Sequence, residues 1–272
     1  MTDDFLEPER GSPFPEIREI GMDAPLRWLR AGWADFRKAP VPSLFYGIVL
    51  AAMGAALANS PGTGAVELAL VTGFLLVGPF LLMGLYDTAR RVQRGEDVMI
   101  GPTTLAWKAN VSSIGFYAII LALLLAVWIR ISIVVVALFF EGTPPSASSL
   151  IRDVMASPEA ITFVLAYLAA GFGFALFVFA TSVVSLPMLY DREKMDTLTA
   201  MITSFNALRL NFWPMLAWAV IIVALTALGF ATFYVGLVLV LPLVGLATWH
   251  AYREVVAPAE SNRESSEMRN AE

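Results

Sequence analysis

The chain contains 272 residues, of which 58% are hydrophobic and 15% are charged. Soluble domains are about half apolar and about a quarter charged, so this composition excludes an ordinary soluble domain and predicts an all-α membrane protein. Because the chain has no cysteine, disulfides, thiolate nucleophiles and iron–sulfur ligation are excluded.

Residues 1–22 are acidic and rich in proline, and we predict that they form a disordered cytoplasmic tail. The run Asp23-Ala24-Pro25 then supplies a capping residue and an early proline, both typical of a helix start. Apolar residues follow at helical spacing, offset from arginine and lysine, which predicts an amphipathic helix in the plane of the membrane on its cytoplasmic face. These apolar residues are Leu26, Leu29, Trp33 and Phe36.

Six apolar runs are long enough to cross a bilayer, which takes about 20 residues. They place residues 23–256 in one membrane domain, followed by a second disordered cytoplasmic tail over residues 257–272. The short region between the last two runs favours a tight hairpin over one long helix. The predicted spans cover residues 41–59, 66–86, 111–140, 161–190, 212–230 and 234–252.

The six predicted spans group into three hairpins that repeat one unit. Each unit has an amphipathic lead-in, two spans joined by an outer connection, and a polar exit. The second span of each unit carries a proline near its inner end, at Pro79, Pro187 and Pro242. The distance from Pro79 to its exit differs by about one helical turn from that of Pro187. The pattern predicts an internal repeat of three related pairs.

Lysine and arginine alternate between the two sides of the predicted membrane. All but two of the 18 basic residues lie before the first span, between spans two and three, between spans four and five, or after span six. The exceptions are Arg152 in an outer connection and Arg130 inside the third apolar run. Basic residues accumulate on the cytoplasmic side. We therefore expect a multi-pass protein of the bacterial inner membrane with both termini in the cytoplasm.

Arg130 is the one basic residue inside a predicted span, where charges are costly. Its position near the outer end of the third span allows the side chain to snorkel to the interface. The alternative is an outer-side ion pair with Glu67, or with Glu141.

A second group of polar residues lies at the inner ends of the spans and forms a candidate polar cytoplasmic mouth that would bind an anionic headgroup or a partner loop. Interfacial anchoring is the simpler interpretation of the same residues, and for His250 we favour a place in an aromatic belt beside Trp249 and Tyr252. The mouth residues are Asp87, Arg90, Asp191, Arg192, His250 and Arg253.

Catalytic and cofactor motifs are absent from the sequence: there is no P-loop, nucleophile elbow, HExxH or dinucleotide fingerprint. A single histidine without cysteine forms neither a bis-histidine haem site nor a conventional zinc site. We therefore expect no enzyme activity, no cofactor and no metal. Basic residues form no tract with interleaved aromatics, so we expect no nucleic-acid partner.

Several motifs resemble those of a bacterial family of uncharacterised integral membrane proteins, sometimes labelled cytochrome c oxidase subunits. The resemblance covers residues 17–256. Members of that family commonly carry a second histidine where this chain has Leu246, so a role that needs the pair is not implied here. The motifs are PLRWLRAGWADF at 25–36, PSLFYG at 42–47, SLPMLYDR at 185–192, AMITS at 200–204 and LPLVGLATWHAYR at 241–253.

The oxidase label can be tested against the histidine content. A haem–copper catalytic subunit needs several histidine ligands, and this chain has one. We therefore predict a non-catalytic accessory or assembly component of a membrane complex, with respiratory complexes suggested by the resemblance alone. Its partners would be the lipid bilayer and other membrane-protein subunits. The alternative is a small-solute transporter or a lipid-handling protein, which the hairpin repeat and the polar mouth favour.

Overall fold

The computed structural model describes residues 14–59, 64–140 and 158–258, and the side chains of residues 64–76 and 158–160 are outside the described set. Within these ranges the chain is helical, apart from loops and an isolated β-bridge between Ile17 and Val256. The prediction of an all-α protein is confirmed. The elements are α1 (Ala24–Lys38), α2 (Pro40–Ala58), α3 (Gly64–Arg94), α4 (Ile100–Thr103), a 3-10 helix (Ala106–Asn110), α5 (Val111–Phe139), α6 (Pro158–Ser182), α7 (Ser185–Asp191), α8 (Thr197–Leu210), α9 (Phe212–Ala231) and α10 (Leu237–Val255).

Among the described residues, four helical regions are long and apolar enough to cross a membrane. They coincide with the first, third, fourth and fifth predicted spans. The second predicted span lies in α3, which continues as a helix to Arg94, and the sixth lies in α10, which carries charged residues at its end. Six spans in three hairpins therefore remain a prediction. The four regions are Pro40–Ala58, Ile100–Phe139, Ile161–Asp191 and Phe212–Ala231.

The fourth predicted span is interrupted, because α6 ends at Ser182 and α7 begins at Ser185. Pro187 lies in the first turn of α7, where its missing N–H and its ring oppose an unbroken helix. The hydroxyl of Ser185 donates a hydrogen bond to the carbonyl of Thr181 (2.6 Å). This bond satisfies one of the carbonyls that the break releases.

Two compact units make up the chain, one from Met1–Ala118 with Thr181–Glu272 and the other from Ile119–Ala180. In the first unit, α10 packs against α1, α2, α3 and α9. A β-carbon added to Gly32 would lie 2.8 Å from the backbone nitrogen of Ala247, so α1 and α10 are in contact near their backbones. Small residues allow this close approach. The largest fully buried side chains of this unit include Trp28, Tyr46, Tyr117, Tyr190, Trp218, Trp249 and Tyr252.

The segment before α1 is part of the first unit. The N–H of Arg18 donates to the carbonyl of Val255 (2.8 Å), and the N–H of Ala257 donates to the carbonyl of Glu16 (3.0 Å). The amide of Asn211, which is buried, accepts from the N–H of Ile20 (2.8 Å) and donates to the carbonyl of Arg18 (3.0 Å). Residues 16–20 and Ala257 therefore pack onto the helices, inside the stretches that the sequence assigned to tails.

The second unit is held together by aromatic side chains of α5 and α6. The ring of Trp128 packs on those of Tyr167 and Phe174, with centroids 5.7 and 5.4 Å apart. The hydroxyls of Ser132 and Tyr167 are hydrogen-bonded (3.1 Å). These contacts join the two helices within the unit.

Candidate functional site

The polar residues of the predicted mouth lie in the first unit, at the ends of α3, α7 and α10. We call them, with the residues that bind them, the polar cluster. Its members are Asp35, Asp87, Arg90, Arg91, Gln93, Tyr190, Asp191, Arg192, Trp249, His250, Tyr252 and Arg253.

Asp87 is buried, and three groups compensate its carboxylate. The hydroxyl of Tyr190 donates to it at 2.6 Å, Nε of Arg91 donates at 2.8 Å, and the guanidinium of Arg90 lies 3.7 Å away. Asp87, Arg90 and Arg91 are three and four residues apart on α3, so the helix itself brings them together. Removing the charged partner of such a buried carboxylate costs about 3–5 kcal/mol.

The two arginines have different surroundings. The guanidinium of Arg90 lies over the ring of Tyr190, 4.7 Å from its centroid, which is a favourable cation–π geometry. The side-chain hydrogen bond to Asp87 raises the pKa of Arg91 above its usual value. Arg91 also lies 3.4 Å from Glu96, beyond the end of α3. Arg90 therefore contacts α7, whereas Arg91 binds within the end of α3.

Asp191, at the end of α7, receives its partners from α10. The hydroxyl of Tyr252 donates to its carboxylate at 2.8 Å, and the guanidinium of Arg253 lies 3.3 Å away. The Nε of Arg192 donates to the Tyr252 hydroxyl (3.4 Å). These bonds connect α7 to α10.

His250 connects α10 to α1. Its Nε2 lies 2.7 Å from the carboxylate of Asp35, which is buried on α1. Its Nδ1 lies 3.2 Å from the side-chain nitrogen of Gln93, at the end of α3. The indole N–H of Trp249 donates to the side-chain oxygen of Gln93 (3.1 Å). One histidine and one glutamine therefore join three helices.

Trp249 lies between the two carboxylate centres. Its ring centroid is 5.9 Å from that of Tyr190, which binds Asp87, and 5.6 Å from that of Tyr252, which binds Asp191. Trp249 and Tyr252 are both about 1% exposed. An aromatic belt faces the headgroup layer, so the interpretation of Trp249 and Tyr252 as belt residues was wrong. These two residues belong to the core of the first unit, and His250 lies beside them with its side chain 18% exposed.

A further contact fixes α1 on α10. The indole N–H of Trp28 donates to the carboxylate of Glu254 (2.7 Å), which Arg27 also contacts. The ring of Trp28 packs edge-on against that of Trp218 (5.7 Å) on α9. This contact and the pair between Asp35 and His250 hold α1 at two points about two turns apart.

The structure thus brings all six mouth residues into one connected cluster. The other six members were not predicted as mouth residues, and these are Asp35, Arg91, Gln93, Tyr190, Trp249 and Tyr252. Arg91 was visible from its spacing to Asp87, and Asp35 was the only acidic residue of α1. Gln93 carried no signal.

The proposed outer-side ion pair has a different outcome. The side chain of Glu67 lies outside the described residues, and so does Glu141. Arg130 is exposed on α5, in the second unit. The pair therefore remains a prediction.

Within the described ranges, no group of three or more histidine, cysteine, aspartate or glutamate side chains is placed to hold a metal ion. The chemistry available at the polar cluster is hydrogen bonding and charge pairing between helices.

Comparison with known proteins gives one match. A family described as "Predicted integral membrane protein (DUF2189)" matches residues 67–191. No curated protein and no solved structure matches the chain. The matched segment contains Asp87, Arg90, Arg91 and Asp191 of the polar cluster. This match to a family of predicted integral membrane proteins confirms the resemblance to an uncharacterised membrane-protein family.

Proposed function

We propose that the protein is a non-catalytic component of a membrane protein complex, and that its second unit, Ile119–Ala180, contacts another membrane protein. The observation that carries this proposal is the exposure of the apolar helices. The most apolar stretch of Ile100–Phe139 has 0% of its residues buried, whereas that of Pro40–Ala58 has 33%. Large apolar side chains on α6 are also exposed, with Leu165, Leu168 and Phe172 above 60%.

The state of the polar cluster supports the non-catalytic part of this proposal. Asp87, Asp191 and Asp35 each bind a side chain of another helix. Such interhelical pairs hold the helix ends together and leave the carboxylates engaged. We infer that the polar cluster stabilises the first unit.

A small-residue position offers a sharp test. A side chain added at Gly173 on α6 meets nothing within 4 Å, and the same is true of Gly54 on α2. The β-carbon of a leucine at either position therefore lies in open space. Membrane helices associate through small residues that let their backbones approach. Gly173→Leu should block a partner helix, whereas Gly54→Leu, outside the second unit, serves as a matched control.

The experiment is purification from native membranes with quantitative mass spectrometry. We expect one membrane protein to co-purify at a fixed ratio with the unchanged chain and with Gly54→Leu. Gly173→Leu should lose it while keeping its own size-exclusion profile. Recovery of the chain alone in all three cases, or equal retention of the partner by both variants, would contradict the proposal.

We also propose that the three hairpins are related copies, and the burial pattern supports this. Ala39, Asn110 and Asn211 immediately precede α2, α5 and α9. At one common distance after these starts lie three fully buried aromatic residues, and these are Tyr46, Tyr117 and Trp218.

Hydrogen bonds join the polar ends of successive hairpins. Tyr190 of the second copy binds Asp87 of the first, and Tyr252 of the third binds Asp191 of the second. If the aromatic positions are equivalent, Trp218→Tyr should keep most of the thermal stability, whereas Trp218→Leu should not. Equal losses in melting temperature would count against equivalence.

The proposed topology has six spans with both termini in the cytoplasm of a bacterial cell, and the distribution of lysine and arginine supports it. The absence of native cysteine allows single-cysteine labelling. We expect Asn59→Cys and Phe233→Cys to react with an impermeant maleimide on intact spheroplasts. Glu96→Cys and Glu193→Cys should react only after permeabilisation. Any exchange between these two groups would require a different number of spans.

A further inference from the structure

Helix α1 has two apolar faces, and among the described residues only one of them packs against other helices. Trp28, Gly32 and Asp35 are buried on the face towards α10. On the opposite face Leu26 is 51% exposed and Trp33 is 45% exposed. A helix on the surface of a soluble protein exposes its polar face instead.

Helix α8 also exposes an apolar face. Its small and polar residues Ala200, Ser204 and Ala207 are buried. Its large apolar residues are on the other side, with Leu198 at 56% and Phe205 at 40% exposure. The exposed face of α8 is therefore more apolar than the buried one.

The two helices share one register. Aligning Ala39 with Asn211, the residues that end α1 and α8, pairs Leu26 with Leu198. The same alignment pairs Trp33 with Phe205 and Arg37 with Arg209, and all six residues are exposed. Each helix thus presents a leucine, an aromatic residue two turns later, and an arginine one turn after the aromatic residue. The arrangement occurs twice in the chain.

Charge on these faces has one sign. The carboxylate of Asp35 is buried against His250, and α8 has no acidic residue between Thr197 and Leu210. Among the described residues, Arg37 and Arg209 form no ion pair. An anionic surface would supply the missing counter-charge.

Chain connectivity places these faces at a membrane surface. Helix α1 ends at Lys38 and the apolar helix α2 begins at Pro40. Helix α8 ends at Leu210 and the apolar helix α9 begins at Phe212. Both α2 and α9 are long and apolar enough to span a bilayer. Each amphipathic helix therefore lies within one residue of a membrane-spanning candidate.

We propose that the exposed faces of α1 and α8 bind the anionic phospholipid headgroups of the leaflet in which they lie. The exposed apolar side chains enter the boundary between headgroups and acyl chains, and these are Leu26, Trp33, Leu198 and Phe205. The guanidinium groups of Arg37 and Arg209 contact the lipid phosphates. The site is independent of the second unit and of any protein partner that the unit binds.

Native mass spectrometry of the full chain in detergent tests this proposal, with phosphatidylglycerol and phosphatidylcholine as probes. We expect the unchanged protein to bind phosphatidylglycerol at least tenfold more strongly than phosphatidylcholine. Arg37→Gln with Arg209→Gln should weaken phosphatidylglycerol binding by roughly thirtyfold, since each basic residue near an anionic surface contributes about a factor of five. Phosphatidylcholine binding should be unchanged.

The matched control removes the same charge elsewhere. Arg94 and Lys194 are exposed outside both helices, and Arg94→Gln with Lys194→Gln should change phosphatidylglycerol binding less than threefold. Arg37→Lys with Arg209→Lys should restore it. Two results would overturn the proposal: equal binding of both lipids to the unchanged protein, or equal losses of phosphatidylglycerol binding in the test and control variants. The comparison of the two lipids uses the unchanged protein and therefore does not depend on how any variant folds.

Discussion

The contact between α1 and α10 predicts that alanine lowers the stability of the protein at Gly32 and leaves it unchanged or raises it slightly at Gly54. In Gly32→Ala, the new β-carbon would lie 2.8 Å from the nitrogen and 3.0 Å from the Cα of Ala247, where ordinary contacts are 3.4–4 Å. Backbone atoms cannot rotate away, so α1 must retreat from α10. Overpacking of this kind costs about 1–3 kcal/mol.

The same substitution also has a favourable effect, which must be subtracted. Alanine is more favourable than glycine inside a helix by about 1 kcal/mol. Retreat of α1, however, lengthens the 2.7 Å bonds that Trp28 and Asp35 make to α10, and loosening them costs about 1 kcal/mol each. We expect a net loss of about 3 kcal/mol, or a fall in melting temperature of roughly 6–12 °C.

Thermal unfolding of the detergent-solubilised protein, followed by size-exclusion chromatography, measures this loss. Gly54→Ala is the matched control, because its β-carbon meets nothing within 4 Å, and it should leave the melting temperature unchanged or raise it slightly. If Gly32→Ala behaves like Gly54→Ala, the close contact between α1 and α10 is refuted.

Three further predictions concern single hydrogen-bonding residues. Tyr190→Phe removes the donor to the buried carboxylate of Asp87 and should cost about 1.5–3 kcal/mol in thermal stability. Asn211→Ala removes both bonds to residues 18–20, so limited proteolysis should cleave near the N-terminus faster, with Asn211→Asp intermediate. Asp196 caps α8, and its hydrogen bonds with Thr199 lower its pKa. Its contribution to the stability of the folded protein is therefore complete above the usual carboxylate pKa. That contribution is lost as the pH falls through the pKa of Asp196 in the folded protein. Asp196→Ala should therefore lower the melting temperature at pH 7, and this difference should shrink as the pH falls through the folded pKa of Asp196.

Hydropathy alone predicted the long apolar helices. It did not predict which face of a helix packs against lipid and which packs against another helix. On α1, Leu26 and Trp33 are exposed as expected for a lipid-facing stripe, whereas Phe36 from the same predicted stripe is buried. Trp28 is buried as well and was not in the stripe. Lipid and protein interior are both apolar, so sequence periodicity does not distinguish a face against lipid from a face against α10.

The sequence predicted six residues of the polar cluster from their places at the inner ends of the spans, but it predicted individual contacts only where they are local. Asp87, Arg90 and Arg91 are one turn apart on a single helix, and their pairing follows from helical geometry. The bonds from Tyr190 to Asp87 and from His250 to Asp35 join residues far apart in the chain. They depend on helix packing, and nothing in the local sequence specifies that packing.

The pairing of α1 with α10 has a consequence for how the chain is made. Helix α1 leaves the ribosome long before α10, yet Ala247, His250 and Glu254 of α10 supply its buried contacts. During synthesis, Trp28 and Asp35 therefore wait without their partners until nearly all of the described chain has been translated. The first unit is therefore completed only after translation has passed α10.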